Sequence, residues 1–414
     1  MLDNLSHEKK VLINKLSAAA NNLGLNIYLA GGSIRDVLLK HKCNDLDIVV
    51  EGNGLEFAKF IFPYLGGEIK TFSSFMSATI ALDKDFLIDI STAREEVYPA
   101  PGQLPKIKPS NIFVDLKRRD FTINSMALSL NNPGETHLID PYNGKMDLEK
   151  RVLRVLTNNS FCEDPTRILR AARYSERLKL SIEDRTLKQL RESVKHLLHV
   201  SPSRLKNEFI KISEENSFQR IIKALKVFNA LRYLLPGLDS LAKVKQSHID
   251  FVKSFVSKYN QGQQWLVLLM LLYWEGSCNI NSILDARLEF NKKEMTCLDW
   301  LIDNSKLIER TFFKQRDVSF ISLHNLLFNT PLEVEIFLLS ILDKKRNKYF
   351  LELRKAREGV EIPLNGKDLL KQGFAPGPLI GEILSLLELE VLKGNIKNRD
   401  EAFCWLNEMR DNLC

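Results

Sequence analysis

Residues 26–50 read NIYLAGGSIRDVLLKHKCNDLDIVV, and this stretch decides the fold of the first part of the chain. Asn26–Ala30 has the apolar composition of a buried strand, and the two glycines that follow it end the strand. Ser33–Lys40 predicts a short helix, and Asp45–Val50 predicts the next strand. Because a strand that ends in glycines and opens a helix lets backbone amides approach a phosphate, the stretch predicts an anion-binding turn.

Two aspartates, Asp45 and Asp47, lie two residues apart on the second predicted strand, so we expect both side chains on one face. Neighbouring carboxylates repel unless a cation lies between them, and Mg²⁺ prefers hard oxygen ligands. Asp89, on another predicted strand, would supply a third carboxylate. Such a site can hold two ions that clamp the attacking and leaving oxygens of phosphoryl transfer. The alternative, a solvated strand edge, is the commoner explanation of an isolated Asp-x-Asp.

The predicted secondary structure of the chain changes from mixed strands and helices to helices at about residue 147. Before it, the pattern predicts helices over 5–22, 57–65 and 120–130, strands over 78–82 and 86–90, and a turn at 83–85. Residues 92–114 contain four prolines and no period, which predicts a mobile loop. After it, strand signals almost vanish, and helices are predicted over 163–178, 184–195, 202–215, 217–230, 247–258, 263–274, 291–308 and 333–356. The fold class is therefore α+β, with a mixed-sheet head followed by an all-helical remainder.

Composition restricts the class of protein. At 414 residues the chain is long enough for two to four modules. Lys and Arg outnumber Asp and Glu by 59 to 52, which is compatible with a polyanionic partner if the positive charge is gathered on one face. The six cysteines form no Cys-x-x-Cys pair, so we expect neither a disulfide framework nor a zinc site.

Nothing in the sequence predicts a membrane protein. The N-terminus MLDNLSHEKK lacks the apolar core of a signal peptide. The longest apolar run, Trp265–Trp274, is about half as long as a membrane span and predicts a buried helix instead. We therefore expect a cytoplasmic protein with no membrane association.

Several segments, taken in order, resemble motifs of the class II tRNA nucleotidyltransferases, a family that shares the head fold of the DNA polymerase beta superfamily. Gly31–Asp36 followed by Asp45–Asp47 resembles the first motif, and Arg118–Asn124 resembles the second, which contacts the sugar and phosphates of the incoming nucleotide. The remaining segments resemble the hinge (Asp140–Gly144), the base-selecting neck motif (Glu163–Arg167, continuing through Arg170 and Arg173) and a tail segment (Gly366–Leu369, Pro376–Pro378 and Gly381).

The resemblance assigns roles to individual residues. Asp45 and Asp47 would hold Mg²⁺, with Asp89 as a further catalytic carboxylate. The residues implied to bind the nucleotide are Gly31, Gly32, Arg35, Arg119, Asn124, Asp164, Arg167, Arg170 and Arg173.

The neck motif also has a purely structural explanation, because Asp164-Pro165 is an ordinary helix start. The arginines argue for more: positions 167, 170, 173 and 177 fall within an arc of about 120°, with few acidic residues at four-residue spacing. The resemblance implies that Asp164 and Arg167 pair with the Watson–Crick edge of CTP or ATP. A carboxylate accepts from an exocyclic amino group and a guanidinium donates to a ring nitrogen or carbonyl, so this pair would accept C and A and refuse U and G.

The resemblance also implies a division into head (1–139), neck (140–215), body (216–330) and tail (331–414). The helical part would bind the acceptor arm of tRNA by shape and phosphates. Arg204, Asn207 and Lys211 lie at helical spacings and either line that surface or form a solvated face. No obligate protein partner is expected.

The predicted activity is the addition of C and A to the 3′ end of tRNA from CTP and ATP, with two metal ions and release of pyrophosphate. Addition of the terminal A alone, or of CC alone, stays open, although a full-length loop at 92–114 argues against the latter. The pattern from Tyr98-Pro99 to Leu104-Pro105 resembles that of some enzymes with divided activities.

Three other classes of protein are weaker alternatives. A bacterial poly(A) polymerase would carry a basic stretch leading to His-Val where this chain has Thr71–Met76. A non-catalytic RNA-binding protein would not need the carboxylates. An appended phosphohydrolase is excluded because none of the seven histidines precedes an aspartate.

Overall fold

The structure is a computed structural model of the 414-residue chain. It describes residues 2, 5–41, 43, 45–83, 86–238, 244–277, 279–310, 324, 330–342, 347, 351, 355 and 361–411. The chain forms two compact units. The first contains Met1–Pro236 and Arg287–Glu289, and the second contains Gly237–Ala286 and Phe290–Cys414.

The first unit is built on a seven-stranded mixed sheet. The strands of this unit are β1 (Asn26–Ala30), β2 (Leu46–Glu51), β3 (Glu68–Phe72), β4 (Ser77–Asp83), β5 (Phe86–Thr92), β6 (Arg94–Val97), β7 (Lys106–Pro109), β8 (Ala127–Ser129), β9 (Leu138–Ile139), β10 (Val152–Leu153) and β11 (Ser181–Ile182). The order across the large sheet is β3-β4-β5-β2-β1-β8-β9. Among the described strands of this sheet, β2 and β5 pair in parallel and the other neighbours are antiparallel. The predicted α+β class is confirmed.

The described residues of the first unit contain eleven α-helices. They are α1 (His7–Asn22), α2 (Gly32–Leu38), α3 (Gly54–Leu65), α4 (Ile112–Lys117), α5 (Gly144–Glu149), α6 (Ser160–Glu163), α7 (Thr166–Leu178), α8 (Asp184–Ser193), α9 (Pro202–Glu214), α10 (Phe218–Val227) and α11 (Leu231–Leu234). Helix α1 packs on β1, and α3 packs on β2, β4 and β5. Residues of β2 alternate between the two faces: Leu46 and Ile48 are fully buried, while Val49 packs with α4 residues such as Leu116.

Most predicted elements of the head are confirmed, but two predictions are wrong. Residues 92–114, predicted as a loop, contain the antiparallel hairpin β6–β7 and the start of α4. The predicted helix over 120–130 is a 3₁₀ turn, Thr122–Asn124, followed by β8. Asp120 Oδ1 accepts from the Phe121 amide (2.9 Å), a local side-chain bond that competes with helix formation. Pairing with β1 then fixes β8 as a strand.

The helical prediction for residues 163–178 needs one correction. The chain forms two helices there, α6 ending at Glu163 and α7 beginning at Thr166. Asp164 lies between them in an extended conformation (φ −128°, ψ 92°), because the residue before a proline is disfavoured in the helical region. The neck motif is therefore a break between two helices. The short parallel pair β10–β11 is a second departure from the all-helical prediction.

In the described residues of the second unit, all the regular secondary structure is helical. Its helices are α12 (Gln246–Tyr259), α13 (Gln264–Gly276), α14 (Lys292–Ile308), α15 (Leu332–Ile341), α16 (Gly366–Lys371), α17 (Pro378–Leu392) and α18 (Arg399–Asp411). Every residue of α13 from Trp265 to Tyr273 is buried, which confirms the predicted buried helix. The predicted helix over 333–356 is observed to Ile341, and most of the remainder lies outside the described residues.

Within the described ranges, no helix has both the length and the apolarity that crossing a membrane requires. The division of the chain into head, neck, body and tail stays a prediction.

Candidate active site

The sheet places two of the three predicted catalytic aspartates side by side. Parallel pairing of β2 with β5 sets Asp47 opposite Asp89, and Asp45 immediately precedes β2. Thr79, on β4, donates its hydroxyl to Asp89 Oδ1 at 2.5 Å. Partial burial, followed by the charges of Asp47 and Asp45, raises the pKa of the Asp89 carboxyl above its usual range. Partial burial and the charge of Asp47 likewise raise the pKa of Asp45.

The glycine turn before α2 orients Asp47. Asp47 Oδ2 accepts from the Ser33 amide (3.1 Å) and the Ser33 hydroxyl (3.0 Å), and the Asp47 amide donates to Ser33 Oγ (2.8 Å). Gly31 has a left-handed backbone (φ +68°), and a Cβ there would lie 2.6 Å from Arg119 Nη1. The left-handed backbone favours glycine here, and a larger residue would also have to displace the Arg119 guanidinium.

These carboxylates fit a divalent cation. Among the described residues, no lysine or arginine lies within ion-pair distance of Asp45, Asp47 or Asp89. Burial first, and then the charge of neighbouring aspartates, raises the pKa of Asp45 and of Asp89, so ionising these carboxylates together is unfavourable unless a cation lies near them. Among the described residues, no group of three or more acidic, histidine or cysteine side chains could hold a metal ion without further ligands. A cation here would need further oxygen ligands from water or a nucleotide, as Mg²⁺ usually does.

Paired arginines lie beside the same glycine turn and form a second group. Arg35, only 3% exposed, pairs with Asp36 (2.8 Å) and donates to Asn124 Oδ1 (2.7 Å). Arg119 pairs with the buried Asp115 (2.9 Å). Burial alone would raise the pKa of Asp115, but the charges of Arg119 and Arg118 outweigh it and lower the pKa. These two arginines, which the resemblance implies bind the triphosphate, are thus held in place before any ligand arrives.

Helix α7 carries the predicted arginine stripe, and its arginines have partners from other elements. Arg170 pairs with Asp120 (2.7 Å), Arg173 approaches Glu208 (3.6 Å), and Arg177 approaches Asp36 (3.8 Å). Burial opposes ionisation of Asp120, yet mainly the charge of Arg170 lowers the pKa of this carboxyl to about 2. The expected shortage of acidic residues therefore holds only along α7 itself, because Arg170, Arg173 and Arg177 have carboxylate partners on other elements.

The aromatic ring of Tyr174 lies among these arginines. The guanidinium carbons of Arg35, Arg170 and Arg173 are 5.3, 5.4 and 5.0 Å from the centre of the ring. Tyr174 was not predicted as a site residue, because one tyrosine within a helix carries no distinctive sequence pattern.

The predicted base-selecting pair lies at the start of α7. Asp164 Oδ1 accepts from the Thr166 amide (3.1 Å) and hydroxyl (2.7 Å), and from Arg204 Nη2 (2.7 Å). Arg167 donates to Ser160 Oγ (2.5 Å) and to the Arg118 carbonyl (2.6 Å). Asp164 therefore does satisfy backbone at a helix start, as the structural explanation requires, and it also forms an ion pair with Arg204 that sequence reasoning missed.

Ten of the twelve predicted site residues line one cavity of about 630 Å³. The exceptions are Asp45 and Arg173, which line an adjoining cavity of about 430 Å³. Asp47 borders both cavities. The larger cavity is also lined by Tyr98 of the β6–β7 segment and by the three α9 residues whose role the sequence left open, Arg204, Asn207 and Lys211.

Comparison with known proteins identifies the family. The A-adding tRNA nucleotidyltransferase of Halalkalibacterium halodurans is 30% identical over 98% of this chain and 93% of its own length. The CCA-adding enzyme of Streptococcus mutans is 31% identical over 94% of both chains. This chain belongs to the tRNA nucleotidyltransferase family. The predicted resemblance is confirmed.

Family models and solved structures agree with membership of the tRNA nucleotidyltransferases. Residues 27–154 match the poly A polymerase head domain, and residues 354–405 match tRNA nucleotidyltransferase domain 2. The Thermotoga maritima CCA-adding enzyme complexed with tRNA is 26% identical, with a TM-score of 0.66 over 100% of this chain and 97% of that one. A CCA-adding enzyme in an apo form is 28% identical, with a TM-score of 0.73 over 99% and 97%. As a nucleotidyltransferase, the chain is an enzyme of a family whose chemistry implies a divalent metal ion.

Proposed function

We propose that this tRNA nucleotidyltransferase adds C and A to the 3′ end of tRNA from CTP and ATP and releases pyrophosphate. One observation carries the proposal: a single cavity joins the acidic pair Asp47 and Asp89 to the base-selecting residues Asp164 and Arg167. A phosphoryl-transfer site and a base-recognition site thus lie within the reach of one nucleotide. Nothing in this arrangement requires a nucleic-acid template.

Mg²⁺ would be held by Asp45 and Asp47, with Asp89 as a third carboxylate. When bound, this ion lowers the pKa of the primer hydroxyl and offsets the charge of the triphosphate. Arg35 and Arg119 would hold the triphosphate, since their ion pairs with Asp36 and Asp115 fix both guanidinium groups at the cavity. Asn124 accepts from Arg35 and donates to Asp120 Oδ1 (2.9 Å), so it would support Arg35.

Base choice would depend on Asp164 and Arg167. Asp164 would accept from the exocyclic amino group that C and A share. Arg167 uses two of its five N–H donors on Ser160 and Arg118, which leaves others for the ring nitrogen or carbonyl of the base. U and G present a carbonyl where C and A present the amino group, so Asp164 would repel them.

A second candidate is addition of the terminal A alone. It is favoured by the Halalkalibacterium halodurans relative, which is named for A addition and matches this chain over nearly its whole length. It is also consistent with the Tyr98–Pro105 pattern. The Streptococcus mutans relative and the CCA-adding structures favour complete addition instead.

One assay separates the candidates. Transcripts of one tRNA that end at the discriminator base, at C and at CC are each incubated with CTP, ATP or both, in Mg²⁺. We expect all three to be completed to CCA when both nucleotides are present. Extension of only the CC-ending transcript, by ATP alone, would establish the A-only activity. Repeated A addition to a CCA end would indicate a poly(A) polymerase, and no extension of any transcript would refute the proposal.

The tRNA acceptor arm would bind through phosphates and shape, in the cytoplasm where tRNA is processed. The free thiols of Cys43, Cys162, Cys297 and Cys404 suit a reducing compartment. We expect tRNA affinity to fall steeply between 50 and 200 mM salt, by about a hundredfold or more if several phosphates are contacted. Nearly constant affinity over that range would contradict binding through phosphates.

A further inference from the structure

The guanidinium group of Arg204, on α9, joins two parts of the first unit that the sequence keeps far apart. Nη2 donates to Asp164 Oδ1 at 2.7 Å, and Nη1 donates to the Gly102 carbonyl at 2.9 Å. Gly102 lies in the connection between β6 and β7. One planar group therefore contacts both the predicted base-selecting carboxylate and this connection.

The connection is itself fixed against the neck, so the Gly102 carbonyl is a firm anchor for Arg204. The Gly102 amide donates to the Glu163 carbonyl at 3.3 Å. Gly102 has a left-handed backbone (φ +74°), and a Cβ there would lie 2.9 Å from the carbonyl carbon and oxygen of His199. Only glycine fits this close approach without displacing backbone.

The two oxygens of Asp164 have different surroundings. Oδ1 accepts from three donors: the Thr166 amide, the Thr166 hydroxyl and Arg204. Among the residues that the structure describes, none donates a hydrogen bond to Oδ2. Because Asp164 lines the larger cavity, the acceptor capacity of Oδ2 remains for a ligand.

We propose that Arg204 is a positioning residue for base selection: it holds Asp164 Oδ1 so that Oδ2 alone faces the base. This inference rests on the proposed function of the cavity. A carboxylate fixed at one oxygen offers one acceptor in one direction, which suits the amino group of C or A and opposes the carbonyl of U or G. If the carboxylate could rotate, it would move away from a mismatched carbonyl and tolerate the wrong base.

The charge and the fork geometry of Arg204 make separate contributions. A lysine at this position would keep the charge, but its single ammonium does not present the planar fork that reaches Asp164 and Gly102 together. Thr166 offers an independent test, because Thr166→Val removes one of the donors to Oδ1 with little change in shape and no change in charge.

The experiment compares wild type with Arg204→Met, Arg204→Lys, Thr166→Val and the control Arg220→Met. Arg220 is an arginine of α10, pairs with Glu176 at 3.1 Å and is 60% exposed outside both cavities. The readouts are kcat/KM and equilibrium Kd for ATP, CTP, GTP and UTP with a tRNA that lacks its terminal A, together with a thermal unfolding curve.

For Arg204→Met, we expect the preference for ATP over GTP to fall by about tenfold or more, chiefly because GTP improves relative to ATP. The preference for ATP over GTP should fall less in Arg204→Lys and by about three- to tenfold in Thr166→Val. In Arg220→Met it should match wild type within about twofold. If Arg204→Met fails to fold, Arg204→Lys and Thr166→Val test the same interaction.

A purely structural role gives a different result. It would lower kcat/KM for all four nucleotides in proportion and leave the ratio of kcat/KM for ATP to that for GTP unchanged. If this ratio stays constant in the folded variants, the inference is overturned. The measurements of nucleotide Kd distinguish failure of this inference from failure of the proposed function. A wild-type protein that prefers ATP in binding, loses the preference in Arg204→Met and yet extends no tRNA would support Arg204 and refute the transfer activity.

Discussion

Two groups of carboxylates lie in or beside the two adjoining cavities and differ in how their charge is compensated: an uncompensated wall (Asp45, Asp47 and Asp89) and a paired wall (Asp115 and Asp120). On the sheet side, Asp45 and Asp89 have raised pKa values, and among the described residues neither they nor Asp47 forms an ion pair. On the side of the second motif, Asp115 and Asp120 are more deeply buried and yet have lowered pKa values, because arginines neutralise them. The first group fits the divalent cation that the chemistry of the family implies. In the second group, Asp115 and Asp120 are already paired with Arg119 and Arg170 and hold these arginines in place.

The largest expected effect follows from removing the uncompensated charge. Asp47→Asn should lower nucleotide incorporation by about a thousandfold or more, since the site would lose a metal ligand while keeping a side chain that can accept from Ser33. Binding of tRNA, measured by filter retention, should stay close to wild type. Asp184→Asn, at an exposed carboxylate of α8, is the matched control. Normal turnover in Asp47→Asn, and in Asp45→Ala, would contradict the difference between the two groups of carboxylates.

The next effect concerns stability on the paired wall. Asp120→Asn should lower the free energy of unfolding of the first unit by about 2 kcal/mol at pH 7, because Arg170 loses its nearer carboxylate partner and keeps the more distant Glu208 (3.8 Å). The folded-state pKa of about 2 lies below the ordinary value near 3.9, so the ionised group stabilises the fold above about pH 4. That advantage over the variant should shrink as pH falls from 4 towards 2.

Tryptophan fluorescence cannot follow this change, since all four tryptophans (Trp265, Trp274, Trp300 and Trp405) belong to the second unit. Hydrogen exchange of first-unit peptides is the suitable measurement, with the tryptophan unfolding transition as internal reference. Equal exchange in wild type and Asp120→Asn would contradict a stabilising role for the pair.

The smallest effect is expected for the same substitution on the uncompensated wall. Asp89→Asn should change the stability of the first unit by no more than about 0.5 kcal/mol, and in the direction of greater stability at pH 7. A raised folded-state pKa means that ionised Asp89 opposes folding at neutral pH, and that this opposition is relieved as pH falls. Thr79 can still donate to the amide oxygen. A loss as large as that of Asp120→Asn, in the same exchange measurement, would remove the distinction between the walls.

Sequence reasoning predicted the uncompensated wall better than the paired one. The strand, glycine turn, helix and Asp-x-Asp are local patterns, and β1 was predicted with the observed bounds. The paired wall depends on contacts between distant segments. Arg170 meets Asp120, and Arg204 meets Asp164, across long stretches of chain that no periodicity connects.

The hairpin was missed for a related reason. Four prolines suggested irregular structure, but Pro109 is at the end of β7 and the others lie in the connection between β6 and β7, where prolines do not interrupt the ladder. The prediction of a helix over 120–130 was wrong because residues 127–129 form a strand that pairs with β1. This pairing is a tertiary contact that the local sequence pattern does not show.

The parallel pairing of β2 with β5 also has a consequence for the order of folding. Parallel neighbours require a crossover, and here α3, β3 and β4 lie between the two strands in sequence. Contacts of this kind are formed late, because the entropy of closing a long segment is lost before the contact is gained. Asp47 and Asp89 therefore meet only when the centre of the sheet closes. A nascent chain that ends before β5 carries Asp47 without its neighbour, so the proposed cation site is complete only after that strand is added.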